Sequence, residues 1–142
     1  MVQVVRPYQP SDRDALVRLW AVCDLVRPWN DPNRDIDRKL AWDPENFLVI
    51  DHDGRLVGSV MVGYEGHRGW VNYLAVDPEH QHQGLGRLLM EKAEELLREL
   101  GCAKLNLQIR SSNEGAIGFY RTLGYRVDES ASMGKRLVLD EA

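Results

Sequence analysis

The hydrophobic positions switch repeatedly between a spacing of two and a spacing of roughly 3.6 residues, the pattern of a chain that alternates strands with helices. Val2 to Arg6 reads as a short strand closed by Pro7 and Pro10, and Ser11 or Asp12 can cap a helix whose apolar stripe is Ala15, Leu16, Leu19, Trp20 and Cys23. Two prolines break the chain in Arg27-Pro28-Trp29-Asn30-Asp31-Pro32, and a polar helix restarts at Asp31 or Pro32 and runs through Ile36 and Leu40. Three strands follow at Phe47 to Ile50, Arg55 to Tyr64 and Trp70 to Val76, the first two joined by the turn pair Asp53-Gly54. The strongest helix comes next: Leu85, Leu88, Leu89, Ala93, Leu96, Leu97 and Leu100 share one face, charged residues cover the other, and Gly101 ends it. Lys104 to Arg110 reads as a strand and Asn113 to Leu123 as a helix ending at Gly124. Tyr125 to Val127 and Arg136 to Leu139 read as two closing strands.

The order β-α-α-β-β-β-α-β-α-β-β predicts an α+β fold of three layers, a mixed and mostly antiparallel sheet flanked by helices. No repeat, linker or low-complexity stretch divides the chain, so residues 1–142 read as one domain. A chain of 142 residues buries about 70% of the surface its unfolded form exposes, enough for a core without metal or disulfide staples.

Charge narrows the partners. With 18 Lys and Arg against 22 Asp and Glu the net charge is −4, which argues against nucleic acid and anionic membranes as partners. An anionic ligand must therefore be held locally. The two cysteines, Cys23 and Cys102, form neither a redox pair nor a zinc set and read as small buried residues. His52, His67, His80 and His82 lack ligand-like spacing with acidic or Cys partners, so no metal is expected. No apolar run approaches the roughly 20 residues of a membrane span, and a cytoplasmic location is expected.

The stretch Leu74-Ala75-Val76-Asp77-Pro78-Glu79-His80-Gln81-His82-Gln83-Gly84-Leu85-Gly86-Arg87 joins a strand to a helix N-terminus. Its glycines let backbone N–H groups approach a ligand, and the helix dipole adds positive potential, so phosphates can bind there without a basic surface. The dinucleotide fingerprint would need Gly or Ala where Leu89 stands, and the Walker loop would need Gly-Lys-Ser/Thr. Neither nucleotide motif fits.

Gln81, Gly84 and Gly86 instead match the Gln/Arg-x-x-Gly-x-Gly/Ala signature of the GCN5-related N-acetyltransferases. Asn113-Glu114-Gly115-Ala116-Ile117-Gly118-Phe119-Tyr120 with Leu123-Gly124-Tyr125 resembles that family's Asn-x-x-Ala-x-x-x-Tyr helix and the glycine-aromatic pair after it. The resemblance covers essentially the whole chain, and the stretches Arg27-Pro28-Trp29-Asn30-Asp31-Pro32 and Gly63-Tyr64-Glu65-Gly66-His67-Arg68-Gly69 look like the bacterial YpeA-type branch. The resemblance implies acetyl-CoA as acyl donor, with the amides of His82, Gln83, Gly84, Leu85, Gly86 and Arg87 around its pyrophosphate and Gln81 shaping the loop. It implies pairing of Leu74, Ala75 and Val76 with the pantetheine arm, one of their amides polarising the thioester carbonyl, and Asn113 beside that arm. Tyr120 corresponds to the general acid that protonates the departing thiolate; a phenol near pKa 10 holds that proton at neutral pH.

Positions where some members carry a glutamate base hold Trp70 and Gln108 here, which leaves Glu65 and His67 as the nearest titratable groups in sequence. Acceptor recognition is expected from Arg27, Trp29, Asn30 and Asp31, with His67 and Asn72 near them. The resemblance implies direct attack by a primary amine (a protein lysine, an N-terminus or a small molecule) in a ternary complex, and a homodimer is compatible with it. The competing reading is a coenzyme A-binding sensor or interaction module without catalysis, which the absent carboxylates at positions 70 and 108 keep open.

Overall fold

The computed structural model describes residues 3–140. β1 (Gln3–Pro7) is followed by α1 (Arg13–Val22), α2 (Pro32–Trp42), β2 (Phe47–His52), β3 (Arg55–Tyr64), β4 (Gly69–Val76), α3 (Leu85–Glu99), β5 (Leu105–Asn106) and α4 (Glu114–Thr122). The five strands form one sheet in the order β1-β2-β3-β4-β5, antiparallel except for the parallel pair β4 and β5. The expected α+β class holds. Val2, the expected start of the first strand, lies outside the described residues.

Alternation along β2 sends side chains to both faces of the sheet, and both faces are covered. Leu48 and Ile50 pack with Val60, Val62 and Val71 against Leu85, Leu89, Met90, Ala93 and Leu97 of α3. Phe47 and Val49 pack on the other face with Met61, Ala75 and the residues Leu16, Leu19, Trp20 and Ile36 of α1 and α2. Each fully buried Leu or Met contributes about 1.5–3 kcal/mol, so the apolar stripe of α3 anchors the helix whose N-terminus borders the glycine loop.

Three expectations need correction. The strand expected over Lys104 to Arg110 pairs only at Leu105–Asn106. Tyr125 to Val127 and Arg136 to Leu139 are not strands; the chain after α4 runs as an irregular strap to Asp140. Cys23 and Cys102 are half-buried rather than buried, each thiol donating to a carbonyl, of Val76 and Lys104 respectively.

The strap is held by charge, not by a β ladder. The Asp140 carboxylate is shielded from solvent and accepts from Arg38 (2.6 and 3.0 Å) and from the Asp31 backbone N–H (3.2 Å). Arg34 and Arg136 approach it at 3.6 and 3.4 Å. The Arg38 guanidinium, and then the Asp31 amide, hold the Asp140 carboxyl well below the usual carboxylate range. Because that pKa is depressed in the folded chain, the stability the contact contributes is fully present above about pH 4 and is lost as the pH falls from there through the folded value. The Asp31 amide resonance is therefore expected to stay constant from pH 8 to pH 5 and to move only below about pH 4. Asp140→Asn should shift it at every pH, and a transition between pH 5 and 8 in the native chain would contradict this account.

Candidate active site

The sheet forks at β4. Its parallel pairing with β5 is confined to Gly69 with Leu105 and Trp70 with Asn106, and among the described residues no strand pairs with that edge of β4 beyond Trp70. The other edge stays on β3, but the register shifts between Ser59 and Met61. At this bulge Tyr73 takes φ +52°, a left-handed conformation that a bulky residue enters at a cost of about 1–3 kcal/mol. The shift reverses the alternation: Val71 packs with the α3 side, whereas Tyr73 and Ala75 pack with the α1 side.

Tyr73 is held on every side. Its ring stacks on Trp20 with centroids 3.8 Å apart, its hydroxyl donates to Asp35 Oδ2 at 2.6 Å, and its carbonyl accepts from Ser59 Oγ at 2.9 Å. Asp35 also accepts from Asn30 Nδ2 (3.0 Å) and Arg38 (3.0 Å), so the bulge is tied to the α2 N-terminus and, through Arg38, to the strap.

Past Val76 the chain makes a short 3-10 turn at Pro78–His80, capped by Asp77, and enters an exposed loop. Gln81 Nε2 donates to the Val76 carbonyl (3.3 Å), which folds the loop back on the end of β4. His82 (φ +63°) and Gly84 (φ +81°) turn the backbone into α3, which starts with no capping side chain and no acidic residue in its first turn. The positive end of a 15-residue helix is thus left unneutralised at Leu85, Gly86 and Arg87. A Cβ on Gly86 would lie 3.0 Å from Phe119 Cζ, so this glycine is what lets α4 pack against the first turn of α3.

That packing delivers Tyr120. It lines an open cleft of about 1240 Å³ together with Trp70, Asn106 and Leu107 at the vertex of the fork. Among the described residues its hydroxyl makes no hydrogen bond, whereas Tyr73 and Tyr125 donate to Asp35 and Glu94, and Tyr64 donates to the Gly66 carbonyl. The other unpartnered phenol, Tyr8, is buried against Phe47 on the opposite face. Burial pushes the Tyr120 pKa above the ordinary phenol value, so the side chain keeps its proton.

The other expected site residues divide. Leu74, Ala75 and Val76 lie on the forked part of β4, and Asn113 is the N-cap of α4, its side chain accepting from Ala116 N at 3.1 Å. Asp31 caps α2 through the N–H groups of Asn33 and Arg34, Asn30 is engaged with Asp35, and Arg27 pairs with Asp24. Trp29 is 47% exposed and carries the Arg110 guanidinium 5.6 Å above its ring, which links this loop to the chain beyond β5. Asn72 is exposed on β4.

Glu65 and His67 are exposed on the β3–β4 turn, at the closed end of the fork. Tyr73 stands about 13 Å further along the strand from Gly69, whereas Trp70, which lines the cleft with Tyr120, is the next residue. Asp35, Ser59 and Asp140 carried no motif in the sequence; only their contacts across the fold single them out. No helix among the described residues is long and apolar enough to cross a membrane. Nor do these residues gather three or more His, Cys, Asp or Glu side chains where a metal ion could be held.

Comparison with known proteins gives the family and the fold. Residues 14–125 match the Acetyltransferase (GNAT) family. An acetyltransferase of Yersinia enterocolitica is 46% identical over 137 residues, covering 96% of this chain and 97% of the relative. The crystal structure of Ard1 from Thermoplasma volcanium superposes with a TM-score of 0.80 at 25% identity, covering 90% of this chain and 85% of that one. The PaiA N-acetyltransferase of Thermoplasma acidophilum, solved in complex with coenzyme A, shares the fold at 16% identity, with a TM-score of 0.71 and coverage of 92% and 94%.

Proposed function

From the premise that this chain belongs to the GNAT acetyltransferase family and is an acyl-CoA-dependent N-acetyltransferase, we propose that it moves the acetyl group of acetyl-CoA directly onto a primary amine, with Tyr120 as general acid. The observation that carries this reading is the Tyr120 hydroxyl, which makes no hydrogen bond among the described residues and lines the same cleft as Trp70. The uncapped amides from His82 to Arg87 hold the pyrophosphate, with Gln81 shaping their loop and Asn113 beside the pantetheine arm. Leu74, Ala75 and Val76 offer the open edge of β4 to that arm.

In the reaction the neutral amine nitrogen forms a bond to the thioester carbonyl carbon and the carbonyl oxygen gains negative charge. The Leu74 N–H stabilises that charge, the C–S bond breaks, and the thiolate takes the Tyr120 proton while the amine proton leaves to solvent or to the phenolate. Glu65 lies on the β3–β4 turn, at the Gly69 end of β4, and is assigned no step in this scheme. The acceptor enters beside Trp29 and Arg110, with Arg27, Asn30, Asp31 and Asn72 in the surrounding wall.

The test is thiol release from acetyl-CoA across a panel of small amines, amino acids and peptides with free N-termini or lysines. Release that depends on the added amine is expected. Tight acetyl-CoA binding with no release from any amine would favour the sensor reading, which the missing carboxylates at positions 70 and 108 had kept open.

A further inference from the structure

Ser59 is an anomaly in the core. It is 0% exposed in the middle of β3, between residues that are otherwise apolar or glycine from Val57 to Val62, and a valine there would bury more apolar surface. Its hydroxyl is engaged on both sides: Trp20 Nε1 lies 2.9 Å from it, and the Tyr73 carbonyl oxygen also lies 2.9 Å from it. An indole N–H can only donate, and a hydroxyl has a single proton. The direction of the chain is therefore fixed, from Trp20 N–H to Ser59 Oγ and from Ser59 O–H to the Tyr73 carbonyl.

The pinned carbonyl belongs to the residue at φ +52°. A trans peptide group is planar, with its C=O and N–H pointing in opposite directions, and no cis peptide is present among the described residues. With the Tyr73 carbonyl drawn toward Ser59 on β3, the Leu74 N–H of the same peptide group is turned away from β3, toward the side on which β5 has already diverged. Resting on the acetyl-transfer reading above, we propose that Ser59 and Trp20 are positioning residues: their buried hydrogen-bond chain aims the Leu74 amide at the thioester carbonyl oxygen. Such a donor helps most when its direction is set before the charge develops, because no reorganisation is then needed during the reaction. The ring stack on Trp20 and the Asp35 bond hold the Tyr73 side chain, while the Ser59 hydroxyl sets the orientation of the peptide itself.

The experiment is infrared spectroscopy of acetyl-CoA labelled with ¹³C at the carbonyl, bound to the native protein and to Ser59→Ala, together with steady-state kinetics. In the native protein the bound carbonyl stretch is expected below that of free acetyl-CoA. In Ser59→Ala it should return toward the free value, with kcat lowered about 10- to 100-fold and KM for acetyl-CoA within about threefold. Ser59→Thr, which keeps the hydroxyl, should restore the shift. Should Ser59→Ala not fold, Trp20→Phe keeps a ring on Tyr73, removes the donor that orients Ser59, and gives the same two readings. A native-like stretch and kcat in a folded Ser59→Ala or Trp20→Phe would overturn the proposal, as would an unshifted stretch in the native protein. Failure of the native protein to bind acetyl-CoA would instead overturn the acetyl-transfer reading itself.

Discussion

Tyr120→Phe is expected to lower kcat for acetyl transfer at least tenfold, a loss of at least about 1.4 kcal/mol of transition-state stabilisation, while acetyl-CoA affinity changes by less than about threefold. The substitution removes one oxygen and leaves the ring contacts with Phe119 and Tyr125, at 5.1 and 5.7 Å between centroids, in place. Since the hydroxyl makes no hydrogen bond among the described residues, its removal orphans no partner there, and the folded chain should be as stable as before. Burial raises the Tyr120 pKa, so the acid stays loaded through the whole neutral range and turnover should not decline between pH 7 and pH 10 through its ionisation. A phenol that resists ionisation when folded contributes fully below about pH 10, and its contribution is lost as the pH rises beyond that value. The check is a pH profile of kcat and kcat/KM for both proteins with one amine acceptor. Equal turnover in the two proteins, or a basic limb near pH 8 that the variant abolishes, would remove Tyr120 from the acid role.

Gly86→Val is expected to damage binding and stability together. Even a Cβ at this position would stand 3.0 Å from Phe119 Cζ and 3.4 Å from Cε1, so the two methyls of valine can be placed only by moving the Phe119 ring or the first turn of α3. Overpacking of this kind costs about 1–3 kcal/mol, and a drop in Tm of roughly 3–12 °C should accompany it. On the proposed binding mode, movement of that turn also displaces the amides of Leu85 to Arg87 from the pyrophosphate, and the dissociation constant of coenzyme A should rise at least tenfold, or about 1.4 kcal/mol. Phe119→Leu in the same chain should recover part of both losses by making room, a non-additivity expected only of residues in contact. Full additivity, or unchanged coenzyme A binding in Gly86→Val, would show that this contact does not shape the cradle.

The features legible in the sequence are those whose causes are local. Gly84 and Gly86 stand out because a left-handed turn and a close helix approach both exclude side chains, and Asn113 because a helix start needs a side-chain acceptor. The stripe from Leu85 to Leu97 buries one face of a helix whatever lies opposite, and the β2–β3 hairpin follows from its turn pair. Glu65 and His67 were candidates through proximity along the chain alone, and the β3–β4 turn carries them to the closed end of the fork.

Propensity misled where pairing depends on a partner. Tyr125 to Val127 and Arg136 to Leu139 carry strand-forming residues, but strand preference takes effect only beside an available edge, and the strap is tied instead to Arg38 and the Asp31 amide by Asp140. The bulge was invisible for a related reason. Trp70 to Val76 reads as an uninterrupted strand, and nothing within it marks Tyr73 for a left-handed conformation. That conformation is imposed by Trp20 from α1, Ser59 from β3 and Asp35 from α2, contacts spanning 53, 14 and 38 positions of the chain. The sequence by itself thus determined the class of fold, the glycine turn into α3 and the helix that carries Tyr120, because hydrophobic period and glycine stereochemistry act over a few residues. Only the tertiary structure decided where the Tyr73 carbonyl is held and which carboxylate takes its hydroxyl, because both follow from hydrogen bonds between elements that meet only when the sheet and its helical layers close.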